Sequence, residues 1–145
     1  MNNKDGTMNV HTGKISIKTK GNSDVVDITD EARNILGETG LKDGILTLFV
    51  TGSTGAITTI EYEPGVVEDL RSALERLIPK GIDYKHNLRW GDGNGHSHVR
   101  ASLLGPSLTV PFVGGDLQLG TWQQIIFIDL DNRPRSRDVL VQIIG

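Results

Sequence analysis

His96-Ser97-His98 sets two imidazoles one residue apart, and Arg100 and Ser102 continue the same alternation. On an extended strand the side-chain period of two sends all four to one face. Neutral imidazole is the commonest protein ligand for zinc and related ions, so such a pair forms half of a metal site that needs a further ligand from elsewhere. His86, in the polar stretch upstream, and Glu61, just before a helical pattern, are the candidates for that position. Arg100 adds a guanidinium able to grip a phosphate through two parallel hydrogen bonds. This face reads as a cradle for a divalent metal, magnesium or zinc, and a phosphorylated small molecule. The structural alternative is an exposed strand face or a polar interface in which the histidines hydrogen-bond without metal.

Two lesser constellations could contribute. Gly52-Ser53-Thr54-Gly55 interrupts an apolar run, and exposed N–H groups in such a turn can bind phosphate oxygens, which makes Ser53 and Thr54 candidate substrate contacts. A plain bulge or hairpin fits as well, and the lysine of a nucleotide-binding P-loop is missing. Trp122 and Gln123, read as the middle of a strand, could hold a planar heterocycle, although packing is the default use of a tryptophan. Arg133, Arg135 and Arg137 share a parity after an Asn-Arg-Pro turn and read as a solvated surface.

These residues need a scaffold, and composition bounds it. The chain has 145 residues, 37% hydrophobic and 23% charged, which suits one domain with a single core. A formal net charge of −3 lacks the basic footprint of a nucleic-acid binder. The absence of cysteine excludes disulfides, thiolate catalysis and Cys-ligated metals. No segment approaches the roughly 18 apolar residues of a membrane span, and the start has no signal-peptide core, so a cytoplasmic protein is expected. Residues 1–13 read as a loose leader and residues 14–145 as the domain.

Alternation predicts strands over 14–20 and 24–28, a buried strand over 44–50 and a continuation from Ala56 to Glu63. Acids after Thr29 and the apolar positions Ala32, Ile35 and Leu36 predict a short first helix. Pro64 and the spacing of Val67, Leu70, Leu74, Leu77 and Ile78 predict a second. From His96 onward the pattern is strand-like, with Val99, Ala101 and Leu103 facing the core and breaks at Gly105-Pro106 and Gly114-Gly115. The expected class is α+β, with mainly antiparallel sheets of about eight strands and two helices.

The segments GHSHVRASLLGPSLTVP at 95–111 and LGTWQQIIFID at 119–129 resemble the YjbQ, or UPF0047, family, and similarity runs from about Lys14 to Ile143. Members are described as secondary thiamine-phosphate synthase enzymes. The resemblance implies a small α+β fold, a homotrimer with polar residues meeting near subunit contacts, and catalytic roles for His98, Arg100 and Glu61. Where many relatives carry His-Thr-Thr-Ala, this chain has Ser53-Thr54-Gly55-Ala56, so a histidine of the relatives is Ser53 here, and a role it plays in them either passes to His96 or is lost with the activity. The implied reaction joins a pyrimidine methyl pyrophosphate to a thiazole phosphate, with a divalent cation and Arg100 stabilising the departing pyrophosphate. A metal-dependent phosphate-ester hydrolase and a non-catalytic trimeric ligand-binding protein are the competing readings.

Overall fold

The computed structural model describes residues 6–145, the Trp90 side chain excepted. In chain order the elements are β1 (Val10–Thr19), β2 (Asp24–Asp27), α1 (Thr29–Thr39), β3 (Gly44–Val50), β4 (Gly55–Ile60), α2 (Pro64–Leu77), α3 (Lys85–Trp90), α4 (Gly95–Leu104), β5 (Ser107–Val113), β6 (Asp116–Leu117), β7 (Gln124–Asp129) and β8 (Arg135–Ile144). They form a five-stranded sheet, β1-β8-β3-β5-β6, and a three-stranded sheet, β2-β7-β4. Every pairing is antiparallel, so the α+β class stands, with four helices in place of two. β1 begins at Val10, ahead of the expected Lys14, so residues 10–13 are strand rather than leader. The first five leader residues lie outside the described residues.

Period-two alternation builds the interior. β3 and β8 turn Leu46, Leu48, Val50, Val139, Val141 and Ile143 inward, where they meet Ile57, Ile125 and Phe127 of the small sheet. Ile28, Ala32 and Leu36 at α1 join the same core. The opposite face of the small sheet is also covered: Ala56, Ile126 and Ile128 pack with Val67 and Leu74 of α2 and Ala101 of α4. β7 therefore has no solvent face. Its unbroken apolar run Ile125–Ile128 follows from burial on both sides.

The largest departure from expectation is α4. GHSHVRASLL alternates well enough to suggest a strand, yet Ser97, Arg100, Ala101 and Leu104 also fall at i, i+3, i+4 and i+7. That stripe lies against the small sheet, and the small buried Ser97 and Ala101 admit a close approach. Val99 and Leu103, which a strand would have buried, are exposed, Leu103 by 74%. Trp122 and Gln123 likewise sit in a turn before β7 rather than inside a strand.

Between β1 and β2 the chain reverses through three successive left-handed residues, Gly21 (φ 74°), Asn22 (φ 53°) and Ser23 (φ 63°). A Cβ on Gly21 would stand 2.3 Å from the backbone oxygen of Arg133, so this position admits glycine alone. Gly37, within α1, has nothing within 4 Å of an added Cβ. Gly21→Ala should lower unfolding free energy by about 2 kcal/mol or more, whereas Gly37→Ala should raise it by roughly 0.5–1 kcal/mol, both read by chemical denaturation.

Candidate functional site

At one end of the space between the sheets the core turns from apolar to ionic. The inward parity of β8 continues from Val141 and Val139 to Arg137 and Arg135, and that of β7 from Ile125 and Phe127 to Asp129. Arg137 donates from Nε to Asp129 Oδ2 (2.9 Å) and from Nη2 to Asp129 Oδ1 (3.0 Å), the two-pronged arrangement that makes guanidinium–carboxylate pairs strong. Thr19 donates its hydroxyl to the same carboxylate, which is fully buried. Two residues on, Asp131 accepts from Arg135 Nε (3.0 Å) and Nη2 (2.6 Å).

Burial works to raise the Asp131 pKa, but the Asn132 backbone N–H, the Arg135 guanidinium and the Asn94 amide outweigh it and hold the group at about 2. Thr54 locks the turn before β4 onto this base. Its hydroxyl donates to Asp131 Oδ2 (3.2 Å) and accepts from Arg137 Nη2 (2.6 Å), while its carbonyl accepts from Leu130 N–H (2.9 Å). Ser53 and Thr54, anticipated as ligand contacts, thus line the resulting pocket beside both arginines.

Helices α3 and α4 supply the other wall. The N–H of Gly95 donates to Asn87 Oδ1 (2.9 Å), and an added Cβ there would lie 2.4 Å from Tyr84 Cβ, so glycine lets the two helices close together. That approach brings the His86 and His98 rings edge to face, with centroids 4.3 Å apart. The Asn94 carboxamide lies between them and the ionic base. One end is 3.3 Å from Asp131 Oδ1, and the other is 3.0 and 3.2 Å from the Asp92 oxygens and 3.2 Å from His86 Nε2. With its nitrogen turned outward, Asn94 gives these acceptors a shared donor. With its oxygen outward, carboxylate, amide oxygen and imidazole nitrogen crowd one point, an arrangement that a cation satisfies. Burial chiefly, and His86 next, lower the His98 pKa against the pull of Asp131 and Asp92, so His98 is neutral near pH 7, the form that binds metals. The pocket measures about 420 Å³.

His96 does not join His98. At 100° per residue, positions two apart on a helix point to nearly opposite sides, whereas His96 and Arg100, four apart, share one. Both line a second pocket across α4. Arg100 is buried because it closes the end of α2: Nε and Nη2 donate to the terminal carbonyl of Ile78 (2.9 and 2.7 Å), and Nη2 also pairs with Glu75 (2.8 Å). That Arg100 hydrogen bond lowers the Glu75 pKa. Burial first, then Arg100 and Lys80, lower that of His96.

The remaining candidates lie elsewhere. Ser102 faces solvent on α4. Glu61 is exposed beyond β4, Trp122 is 70% exposed, and Gln123 donates to Thr59 (3.1 Å). They gather where Ile60 pairs with Gln124, whereas the ionic base is where Gly55 pairs with Asp129, about 17 Å away at the ~3.4 Å rise per residue of a strand. Among the described residues no three His, Asp or Glu side chains already stand in metal-ligand geometry. Sequence reasoning passed over Asp92, Asn94, Asp129 and Asp131, and took Arg135 and Arg137 for surface. The available signal was two acids at i and i+2 ending an apolar strand, followed by two arginines of one parity opening the next.

Two antiparallel sheets, helices on the smaller one, and a pocket of paired histidines and arginines at their common end define a compact class of α+β proteins. The chain belongs to the family described as UPF0047 protein YjbQ-like, whose pattern matches residues 13–145. A UPF0047 protein of Methanothermobacter thermautotrophicus is 40% identical over 138 residues, covering 95% of this chain and 94% of its own. One from Archaeoglobus fulgidus is 36% identical, covering 89% and 98%. The crystal structure of a YbjQ-like protein of unknown function from Sulfolobus solfataricus superposes with a TM-score of 0.91 at 36% identity, over 96% of this chain and 99% of that one. No helix among the described residues is long and apolar enough to cross a membrane.

The depressed Asp131 pKa has a thermodynamic consequence. A carboxylate whose pKa falls from 3.8 to about 2 on folding stabilises the fold above pH 4 and loses that contribution as pH falls from about 4 to 2, on the order of 2 kcal/mol in all. Denaturation midpoints measured across this window should drop for the native chain and flatten for Asp131→Asn, which should itself cost roughly 2–3 kcal/mol at pH 7.

Proposed function

We propose that the pocket holds a divalent cation, magnesium or zinc, together with a phosphorylated small molecule, and that the chain is a transferase of the thiamine-phosphate-synthase kind. The supporting observation is that His86, His98, Asp92 and Asn94 share one pocket with two arginines whose Nη1 groups make no hydrogen bond among the described residues. The donor set, two imidazoles with carboxylate and amide oxygens, fits such an ion when the Asn94 carboxamide has its oxygen outward, the orientation in which its nitrogen donates to Asp131. A bound cation would draw charge from a pyrophosphate oxygen and ease its departure.

The chain's own groups would do the rest. Arg135 and Arg137, already fixed by Asp131 and Asp129, offer Nη1 to phosphate oxygens without reorganisation. Gly52, Ser53 and Thr54 line the same space. In the reaction the thiazole nitrogen forms a bond to the methylene carbon of the pyrimidine as the carbon–oxygen bond to pyrophosphate breaks, and the electron pair leaves with the pyrophosphate. Glu61, Trp122 and Gln123 enter such a site only when a second copy brings them. We assign that contact to a homotrimer, in which the middle of the outer face of the large sheet, where Phe49 pairs with Leu140 and Thr47 with Gln142, is the surface covered, with the Lys14–Asp138 ion pair beside it toward β1.

Gly52, Ser53 and Asp92 are exposed, so water reaches the pocket, which favours metal-dependent phosphate-ester hydrolysis as the second reading. Assay of the purified chain with the two thiamine precursors should give condensed product with magnesium or zinc. His98→Ala should cut it at least 100-fold with an unchanged melting temperature. Release of phosphate from simple esters without condensation selects the hydrolase, and ligand binding without turnover selects a non-catalytic role.

Zinc affinity by calorimetry should fall as pH is lowered, and the part of that fall carried by His98, isolated by comparison with His98→Ala, should set in at lower pH than for an ordinary histidine, because burial depresses the His98 pKa. His98→Ala should weaken it by at least the roughly 10–100-fold that disturbing a ligand's supporting partner costs. Sedimentation should give three times the chain mass of 15.8 kDa for the native protein and a smaller species for Phe49→Glu.

A further inference from the structure

The second pocket, across α4 from His98, carries more positive charge than the fold requires. Arg71, Lys80 and Arg100 line its volume of about 370 Å³ against one carboxylate, Glu75, and His96 and the Asn22–Ser23 turn complete it. Glu68, outside the lining, sits 3.7 Å from Arg71 Nη1 on the exposed side. Within the lining, three cations against one acid leave a surplus of two charges, one of which Glu68 faces from outside.

The wall shows how that surplus is held in place. Asn22 and Ser23 are consecutive non-glycine residues in the left-handed region, a costly conformation that survives only where its surroundings enforce it. Their N–H groups donate to the carbonyls of Asp131 (2.6 Å) and Asp129 (2.8 Å). So pinned, the turn directs one neutral acceptor at each cation: Asn22 Oδ1 at Lys80 Nζ (3.2 Å), Ser23 O at Arg71 Nε (3.0 Å) and Ser23 Oγ at Arg100 Nη1 (3.4 Å). Three long side chains are oriented about one space, yet only Arg100 meets a carboxylate of the pocket lining.

His96 supplies the group that calls for a ligand. It is 2% exposed, and among the described residues its Nδ1 has no hydrogen-bond partner. Its other nitrogen, Nε2, stands 3.4 Å from the Ser97 hydroxyl, which can donate to it. With Ser97 as the donor the ring proton stands on Nδ1, a buried donor without an acceptor among the described residues, which proteins rarely tolerate. An oxyanion in the pocket provides the acceptor, and a dianion matches the surplus charge.

We infer that this pocket is a second ligand site that binds a phosphate group, with His96 Nδ1–H donating to it and Lys80, Arg71 and Arg100 balancing its charge. It is distinct from the His98 pocket and needs no metal. Inorganic phosphate titrated into the chelator-treated full chain, followed by calorimetry and by the His96 ring nitrogen resonances, should saturate at millimolar concentration or below and shift Nδ1. The surface substitutions Lys80→Met and Arg71→Met, which leave the core untouched, should each weaken binding about tenfold. Arg135→Met, in the other pocket, should change it less than twofold. Tighter binding of glycerol phosphate than of inorganic phosphate assigns the site to an organic ester, and the reverse to the free anion. Failure to saturate by about 10 mM, or loss of binding in Arg135→Met with Lys80→Met unaffected, overturns the assignment.

Discussion

The bidentate pair between Arg137 and Asp129 is the joint on which the rest of the molecule depends. It links β8 of the large sheet to β7 of the small one where the apolar interior ends, so charge closes the core instead of water. Such a pair stabilises better the more of its remaining hydrogen-bonding capacity is used, and Thr19 and Thr54 take up part of it, leaving Arg137 Nη1 without a hydrogen bond among the described residues. The same bonds fix the turn before β4 and the segment after β7. Structural closure and the pocket floor are one set of contacts.

The small sheet was legible because its causes are local. An apolar run between turn signals marks β7, and Pro64 with a regular apolar stripe marks α2, whose start is further capped by the Glu63 carboxylate. What could not be read was orientation. GHSHVRASLL satisfies a period of two and one of 3.6 together, and the charge on Arg100 hid the helical stripe to which it belongs. Treated as a strand, the segment puts His96, His98 and Arg100 in one site. As a helix it separates them.

The candidate site was half visible for a related reason. His86, His98, Ser53 and Thr54 announced themselves by residue type and neighbourhood. Asp129, Asp131, Arg135 and Arg137 did not, since acids and arginines near turns are ordinarily solvated, and only the register of two sheets shows that they face inward. Glu61, Trp122 and Gln123 share a sheet with the ionic base but occupy its far end. Adjacency in a motif had stood in for adjacency in space.

β7 is covered on both faces and flanked by a strand on each side, so its amide protons are reached only when the whole molecule opens. Asp129, its last residue, inherits that permanence. α3 has six residues, one of them the largely exposed Leu88, and holds His86 with few buried contacts. In hydrogen-exchange terms the pocket therefore joins a floor whose protection is that of the whole fold to a short helix whose own burial gives it far less. The arginines of the floor are thereby held by the most protected part of the sheet, and His86 by the least enclosed helix beside it.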